Sequence, residues 1–192
     1  KSGRDAALHL NIYSATINGN SLSRVRNLPF NNDEYSVMHP SLSKDGTRLY
    51  FSSNMPDGLG GYDLYYVNID GNGRYSEPVN LGPGINTEGN EVFPFIFRED
   101  VLFFASNAHP GLGGLDVYMT VDLGTENQQV LNMGTPFNTS SDDFCLYIDT
   151  KFKFGYLSSN RKGGKGEDDI YSFKIDIPAP FGVDDYYTMA RG

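Results

Sequence analysis

Short apolar runs alternate along this chain with clusters of glycine, asparagine, aspartate and proline. Tyr35 to Leu42 alternates weakly, Lys44-Asp45-Gly46-Thr47 reads as a tight turn, and Arg48 to Ser53 is rich in aromatic and apolar side chains, which predicts a β-hairpin. Asn54 to Gly61 carries Pro56 and three glycines, after which Asp63 to Ile69 returns as a strand. Asp70-Gly71-Asn72-Gly73 then turns, and Glu77 to Leu81 supplies a short edge strand. The unit is four antiparallel strands. A second copy runs from Glu91 to Met133, and a third from Asp143 to Ile175 without a clear fourth strand.

The copies keep one register. Asn54, Asn107 and Asn160 stand 53 residues apart, as do Asp63, Asp116 and Asp169, and Tyr65, Tyr118 and Tyr171. Ser53, Gly58 and Gly60 recur at the same spacing. A period of this length marks one supersecondary unit stacked on copies of itself. Four-stranded antiparallel sheets with Gly- and Asp-rich turns pack best as blades around an axis, so the expected fold is all-β, a β-propeller or an arc of a larger one. The predicted division is an N-terminal extension over 1–8, half a blade over 9–28, blades over 34–81 and 88–133, a blade lacking its fourth strand over 142–176, and a tail over 177–192. An arc of this kind leaves edge strands that missing blades or a partner must pair, and the parent chain is expected to be longer.

Composition agrees with strands. Tyr and Phe number 13 each, Gly 22, and Trp is absent. The formal charge of -9 argues against nucleic acid and anionic lipid as partners. No apolar run approaches the ~18 residues of a membrane-spanning helix; Val92 to Phe97 is typical of the longest, and Pro94 interrupts it. Cys145, the single cysteine, permits no intrachain disulfide and reads as a small buried apolar side chain. Lys1 is not a start methionine, which suggests a processed or excised piece.

Asp63 and Tyr65 share a strand face, as do their copies, and each aspartate follows a glycine turn whose N–H groups need an acceptor. The repeat signature Asn54, Asp63, Tyr65, Asn107, Asp116, Tyr118, Asn160, Asp169 and Tyr171 is therefore assigned a structural role. Gly163-Gly164-Lys165-Gly166-Glu167-Asp168 matches a β-roll calcium motif, which makes Asp168 and Asp169 a weak alternative metal site. Glu88, Glu91, Asp142 and Asp143 are the best acid–base candidates, at blade entrances, while His9, His39 and His109 are scattered without a nucleophile motif or metal-ligand spacing. Phe93, Phe95 and Phe97 read as core. No cofactor and no catalysis are expected. The loop Asn160 to Lys165 departs from its counterparts by carrying Arg161, Lys162 and Lys165, a candidate contact for an acidic partner.

His39-Pro40-Ser41-Leu42-Ser43-Lys44-Asp45-Gly46-Thr47-Arg48-Leu49-Tyr50-Phe51-Ser52-Ser53-Asn54, followed by Gly60-Gly61-Tyr62-Asp63-Leu64-Tyr65, resembles the WD-like propeller repeat of the TolB type. It is most similar to the version in OmpA-family envelope proteins of Bacteroidota. The resemblance covers about residues 9 to 176; the Asp-Gly turn is replaced by Arg98-Glu99-Asp100 in the second copy and Asp149-Thr150-Lys151 in the third. It implies a periplasmic, outer-membrane-associated propeller within a longer lipoprotein, contacting other envelope proteins in a type IX secretion, gliding or peptidoglycan-associated assembly. The competing expectation is a glycan-binding or glycan-cleaving propeller.

Overall fold

The Asp45 carboxylate organises the first complete hairpin: it accepts Ser43 Oγ at 2.6 Å, the Thr47 N–H at 3.1 Å and Thr47 Oγ1 at 2.7 Å, while Gly46 takes a φ of 74°. These donors, Ser43 first, hold the Asp45 carboxyl down at about 2. The computed structural model describes residues 8–149, 151 and 153–175. Strands β1 (Tyr13–Asn18) and β2 (Ser21–Asn27) form a two-stranded sheet. The first full sheet holds β3 (Val37–Leu42), β4 (Arg48–Ser53), β5 (Asp63–Asn68) and β6 (Val79–Asn80) in that order. The second holds β7 (Glu91–Arg98), β8 (Val101–Ser106), β9 (Asp116–Val121) and β10 (Gln129–Asn132). The third holds β11 (Asp143–Ile148), β12 (Phe154–Ser159) and β13 (Asp169–Lys174). Every strand pair is antiparallel, and among the described residues there is no helix. The expected extension, apart from residue 8, and the expected tail lie outside these residues.

Sheets stack face to face in chain order because strand alternation makes both faces of the middle sheets apolar. Ile12, Leu28 and Phe30 pack on Leu49, Phe51 and Tyr65 of the first sheet. Its other face, with Tyr50 and Leu64, meets Leu102, Phe104 and Tyr118 of the second. Phe103, Val117 and Met119 then meet Leu146, Ile148 and Leu157 of the third. Strands β8 and β9 are accordingly buried along their whole length. The arrangement is open: the outer face of the third sheet and that of the two-stranded sheet carry exposed apolar side chains.

Strands β3, β7 and β11 form one edge of their sheets and touch one another in series. Each carries a bulge at the same place, with His39, Phe93 and Cys145 at φ of 55°, 54° and 53°. Edge placement explains why Pro40 and Pro94 are accepted immediately after the bulge, since no ladder donor is lost. The structure also corrects the reading of Cys145, which is exposed rather than buried. Cys145 stands in alternation with the buried Leu146 and Ile148 and shares the exposed side of β11 with Tyr147. Phe95 and Phe97 pack against the core between the second and third sheets, whereas Phe93 turns into a ring stack along the inner edge.

Candidate functional site

The repeated residues gather at one end of the sheets, where β4, β8 and β12 finish and β5, β9 and β13 begin. Asn54 Oδ1 accepts the Ser36 N–H at 2.7 Å, Asn107 Oδ1 that of Asn90 at 2.8 Å, and Asn160 Oδ1 that of Asp142 at 2.8 Å. Each amide closes the open end of the first hairpin in its sheet. One residue earlier, Ser53, Ser106 and Ser159 accept the N–H of Met55, Ala108 and Arg161 at 3.2, 3.2 and 3.1 Å, turning the chain out of the strand.

The aspartate, tyrosine and glycine columns form one cluster. Asp63 accepts the N–H groups of Leu59 at 2.6 Å and Gly60 at 3.1 Å, Asp116 those of Leu112 and Gly113 at 2.7 and 2.9 Å, and Asp169 those of Lys165 and Gly166 at 2.7 and 3.1 Å. A Cβ on Gly58 would lie 2.9 Å from Asp63 Oδ2 and 3.2 Å from the Tyr65 hydroxyl, and on Gly111 or Gly164 it would lie 2.9 Å from the matching tyrosine hydroxyl. Glycine is required there because the carboxylate and the phenol occupy the space a side chain needs. Burial, with the Asp116 charge beside it, pushes the Tyr118 phenol up to about 12, and burial also raises Tyr65. Tyr118 donates its hydroxyl to the carbonyls of His109 and Pro110 at 2.9 and 3.1 Å.

Asp168 is exposed. Among the described residues no group of three His, Cys, Asp or Glu comes together that could hold a metal ion.

A further set of residues, unassigned from the sequence, ties each connector back to its sheet. Asn86 Oδ1 accepts the Leu64 N–H at 2.8 Å and its Nδ2 donates to the Leu64 carbonyl at 3.0 Å; Asn138 does the same for Val117 at 2.7 and 2.9 Å, and Asn31 for Ile12 at 3.0 and 2.6 Å. Each side-chain amide thus continues the sheet for one residue past its last strand. The available signal was the rhyme between Asn80-Leu81-Gly82 to Asn86-Thr87 and Asn132-Met133-Gly134 to Asn138-Thr139.

Three of the four acidic candidates are hydrogen-bonded within the frame. Glu91 is fully buried and accepts the Thr87 N–H at 2.8 Å, Thr87 Oγ1 at 2.6 Å and Ser106 Oγ at 2.6 Å. Asp143, also fully buried, accepts the N–H and hydroxyl of Thr139 at 2.6 and 2.8 Å and pairs with Arg161 Nη2 at 2.6 Å. Asp142 accepts the Leu115 N–H at 2.8 Å, and Glu88 is exposed. Arg161 also donates to the carbonyls of Pro136 and Phe137 at 3.2 and 2.7 Å and lies 5.0 Å from the centre of the Tyr171 ring. Its guanidinium is a strut between loops. Lys162 and Lys165 are exposed and carry the loop's remaining positive charge.

Along the inner edge, the His39 and Phe93 rings stack at 3.8 Å between centres, and Phe93 stacks on Phe144 at 5.0 Å. The Phe93 N–H donates to His39 Nδ1 at 3.3 Å, and burial lowers the imidazole to about 4.

No family model and no curated protein matches the chain. Solved structures do. The chain is similar to a puromycin-hydrolyzing peptidase from Mycobacterium tuberculosis at 15% identity and a TM-score of 0.50, over 82% of this chain and 24% of that one. It is similar to prolyl oligopeptidase B from Galerina marginata, bound to a 35mer hydrolysis and macrocyclization substrate, at 14% identity and a TM-score of 0.50, over 82% and 21%. TolB from Acinetobacter baumannii aligns at 12% identity and a TM-score of 0.49, over 72% and 30%.

The chain has a β-propeller fold. It spans less than a third of each of these three chains. The expectation of a module without catalysis is corrected by these neighbours, since two of the three are peptidases. The likeness itself extends to the fold alone. No described helix is long and apolar enough to cross a membrane.

Proposed function

We propose that this propeller segment is a protein-docking scaffold of a bacterial cell envelope, periplasmic and associated with the outer membrane. Its setting in this reading is a type IX secretion, gliding or peptidoglycan-associated assembly. The setting is supported by the resemblance of His39 to Asn54 and Gly60 to Tyr65 to OmpA-family propeller repeats. The docking role is supported by one observation: at the signature end the repeated asparagines and aspartates all accept main-chain N–H groups, while the non-repeating Lys162 and Lys165 face solvent. A frame whose turns are tied down in this way displays variable loops without deforming when they are engaged. On a domain of formal charge -9, Lys162 and Lys165 form a local basic point suited to an acidic protein surface.

A photo-crosslinking residue at position 165, with a second at position 72 on the opposite turns, tests this in envelope extract. The expected result is a discrete adduct from position 165, absent from position 72 and weakened by Lys162→Gln and by added salt. Equal labelling from both positions would remove the loop from the interface.

The His39, Phe93 and Phe144 ring stack supports a second reading, a glycan laid across the inner edge. Calorimetry with cell-wall fragments measures it directly, and heat of binding abolished by Phe93→Ala would favour it over protein docking.

A further inference from the structure

The contact between the first and second full sheets is not a copy of the contact between the second and third. Strand pairing sets Ser41, Ser43, Arg48 and Tyr50 of the first sheet at the positions that Phe95, Phe97, Val101 and Phe103 hold in the second. In the second sheet those four side chains pack on the core shared with the third. In the first, Ser41 Oγ still reaches across to accept the Ile96 N–H at 2.9 Å. Beyond it Ser43 is too short to fill the place of Phe97, and the sheets part at the end opposite the repeated corner. Two adjoining cavities of about 510 and 440 Å³ lie there, sharing Ser43, Asp45, Ile96 and Glu99 as walls, each within the size range of small-molecule sites.

Donors line one wall of this cleft and acceptors the other. The half-buried Arg48 lies with its guanidinium carbon 4.4 Å from the centre of the Tyr66 ring, and it donates Nη1–H to the Tyr50 hydroxyl at 3.2 Å and Nε–H to Asn68 Oδ1 at 3.3 Å. Its Nη2 donates to no described residue, and the ion pairs of the described residues, Arg74 with Asp70 and Arg161 with Asp143, leave it without a carboxylate. The Tyr50 hydroxyl, having accepted from Arg48, has no acceptor for its own proton among the described residues. A guanidinium held against a ring with N–H groups to spare is preorganised for a carboxylate. On the second sheet's side, Glu99 and Asp100 are exposed and unpaired. With Lys44, Arg98 and Asp45 the lining carries three cations and three carboxylates. Ile96 and Leu123 supply its apolar floor.

We infer that this cleft binds a small zwitterion of the amino-acid or dipeptide class, its carboxylate on Arg48 and the Tyr50 hydroxyl, its ammonium toward Glu99 and Asp100, and its apolar side chain on Ile96. Charge complementarity selects the occupant: a simple anion is repelled by the three carboxylates and a simple cation by the three basic groups, whereas a molecule with both ends answers both walls. The site breaks the repeat, because the matching positions of the second sheet are apolar and filled.

Titration of the 192-residue chain with alanylleucine, followed by NMR or calorimetry, tests the inference beside the C-terminal amide and the N-acetyl form of the same dipeptide. The wild type is expected to bind alanylleucine with a Kd of about 1 mM or tighter, and each blocked form roughly tenfold more weakly. Tyr50→Phe, which removes only the hydroxyl, and Arg48→Gln are each expected to weaken binding by about tenfold. Ser43→Phe, which restores the ring of the second sheet, is expected to abolish it. Glu99→Gln combined with Asp100→Asn alters exposed positions alone and replaces any cleft variant that fails to fold; it is expected to weaken alanylleucine and leave the N-acetyl form unchanged. A wild type that binds no alanylleucine up to about 10 mM overturns the inference. So does equal binding of the free and blocked dipeptides, or affinity that these variants leave unchanged.

Discussion

Asn86 holds both main-chain groups of Leu64, accepting its N–H at 2.8 Å and donating to its carbonyl at 3.0 Å. The carbonyl has a second donor, the Leu81 N–H at 3.0 Å, whereas the Leu64 N–H has Asn86 alone to satisfy it on that side of β5. Asn86→Ala therefore strands a buried donor, and the expected loss is about 1–3 kcal/mol by denaturant titration. Asn138→Ala is expected to cost a similar amount at Val117. A loss confined to one of the two sites would show that the amides are not equivalent.

Arg161 and Asp143 have an apolar counterpart in the first sheet, where Met55 follows Asn54 and the fully buried Val37 starts the strand. Arg161→Met leaves Asp143 buried without its cation and is expected to cost about 3–5 kcal/mol. Asp143→Val added to Arg161→Met recreates the first sheet's pair and is expected to recover most of that loss. A double variant no more stable than the single one would refute the exchange.

His39 is neutral in the fold, since burial lowers its imidazole from 6.5 to about 4. The unfolded chain takes up the proton first, so the sign of linkage is a stability complete above pH 6.5 and lost as pH falls toward 4. Thermal midpoints of the wild type are expected to fall across this window more steeply than those of His39→Phe, which keeps a ring on Phe93 and removes the titrating group. Parallel curves would assign the acid sensitivity elsewhere.

Gly113 lies under the connector of its own sheet, and a Cβ there would meet the Ser141 and Thr139 carbonyls, the latter at 2.7 Å. Gly113→Ala is expected to destabilise by about 1–3 kcal/mol. Gly71, with nothing within 4 Å of an added Cβ, accepts alanine within about 0.5 kcal/mol. Midpoints of chemical unfolding for the two variants give the comparison.

Strand positions and turns were legible because they are local: alternation shows which face of Arg48–Ser53 is apolar, and Asp45-Gly46 announces a turn. Alternation sets Cys145 on the side of β11 opposite Leu146 and Ile148, but it could not show that this side is the exposed one, which only the stacking of the sheets decides. Nor could charge alone show that Arg161 belongs to the frame. Its partners are Asp143 and the carbonyls of Pro136 and Phe137, all 18 to 25 residues earlier in the chain.

Period, composition and turn chemistry by themselves determined that this chain is a series of antiparallel sheets with one repeated glycine–aspartate–tyrosine corner, since each of those features acts between residues close in sequence. Tertiary stacking decided the rest: which apolar faces are closed, which carboxylates are buried in hydrogen bonds, and which charges remain free. Those outcomes depend on what the neighbouring sheet places opposite each side chain, and desolvation by that neighbour sets both the burial and the partner.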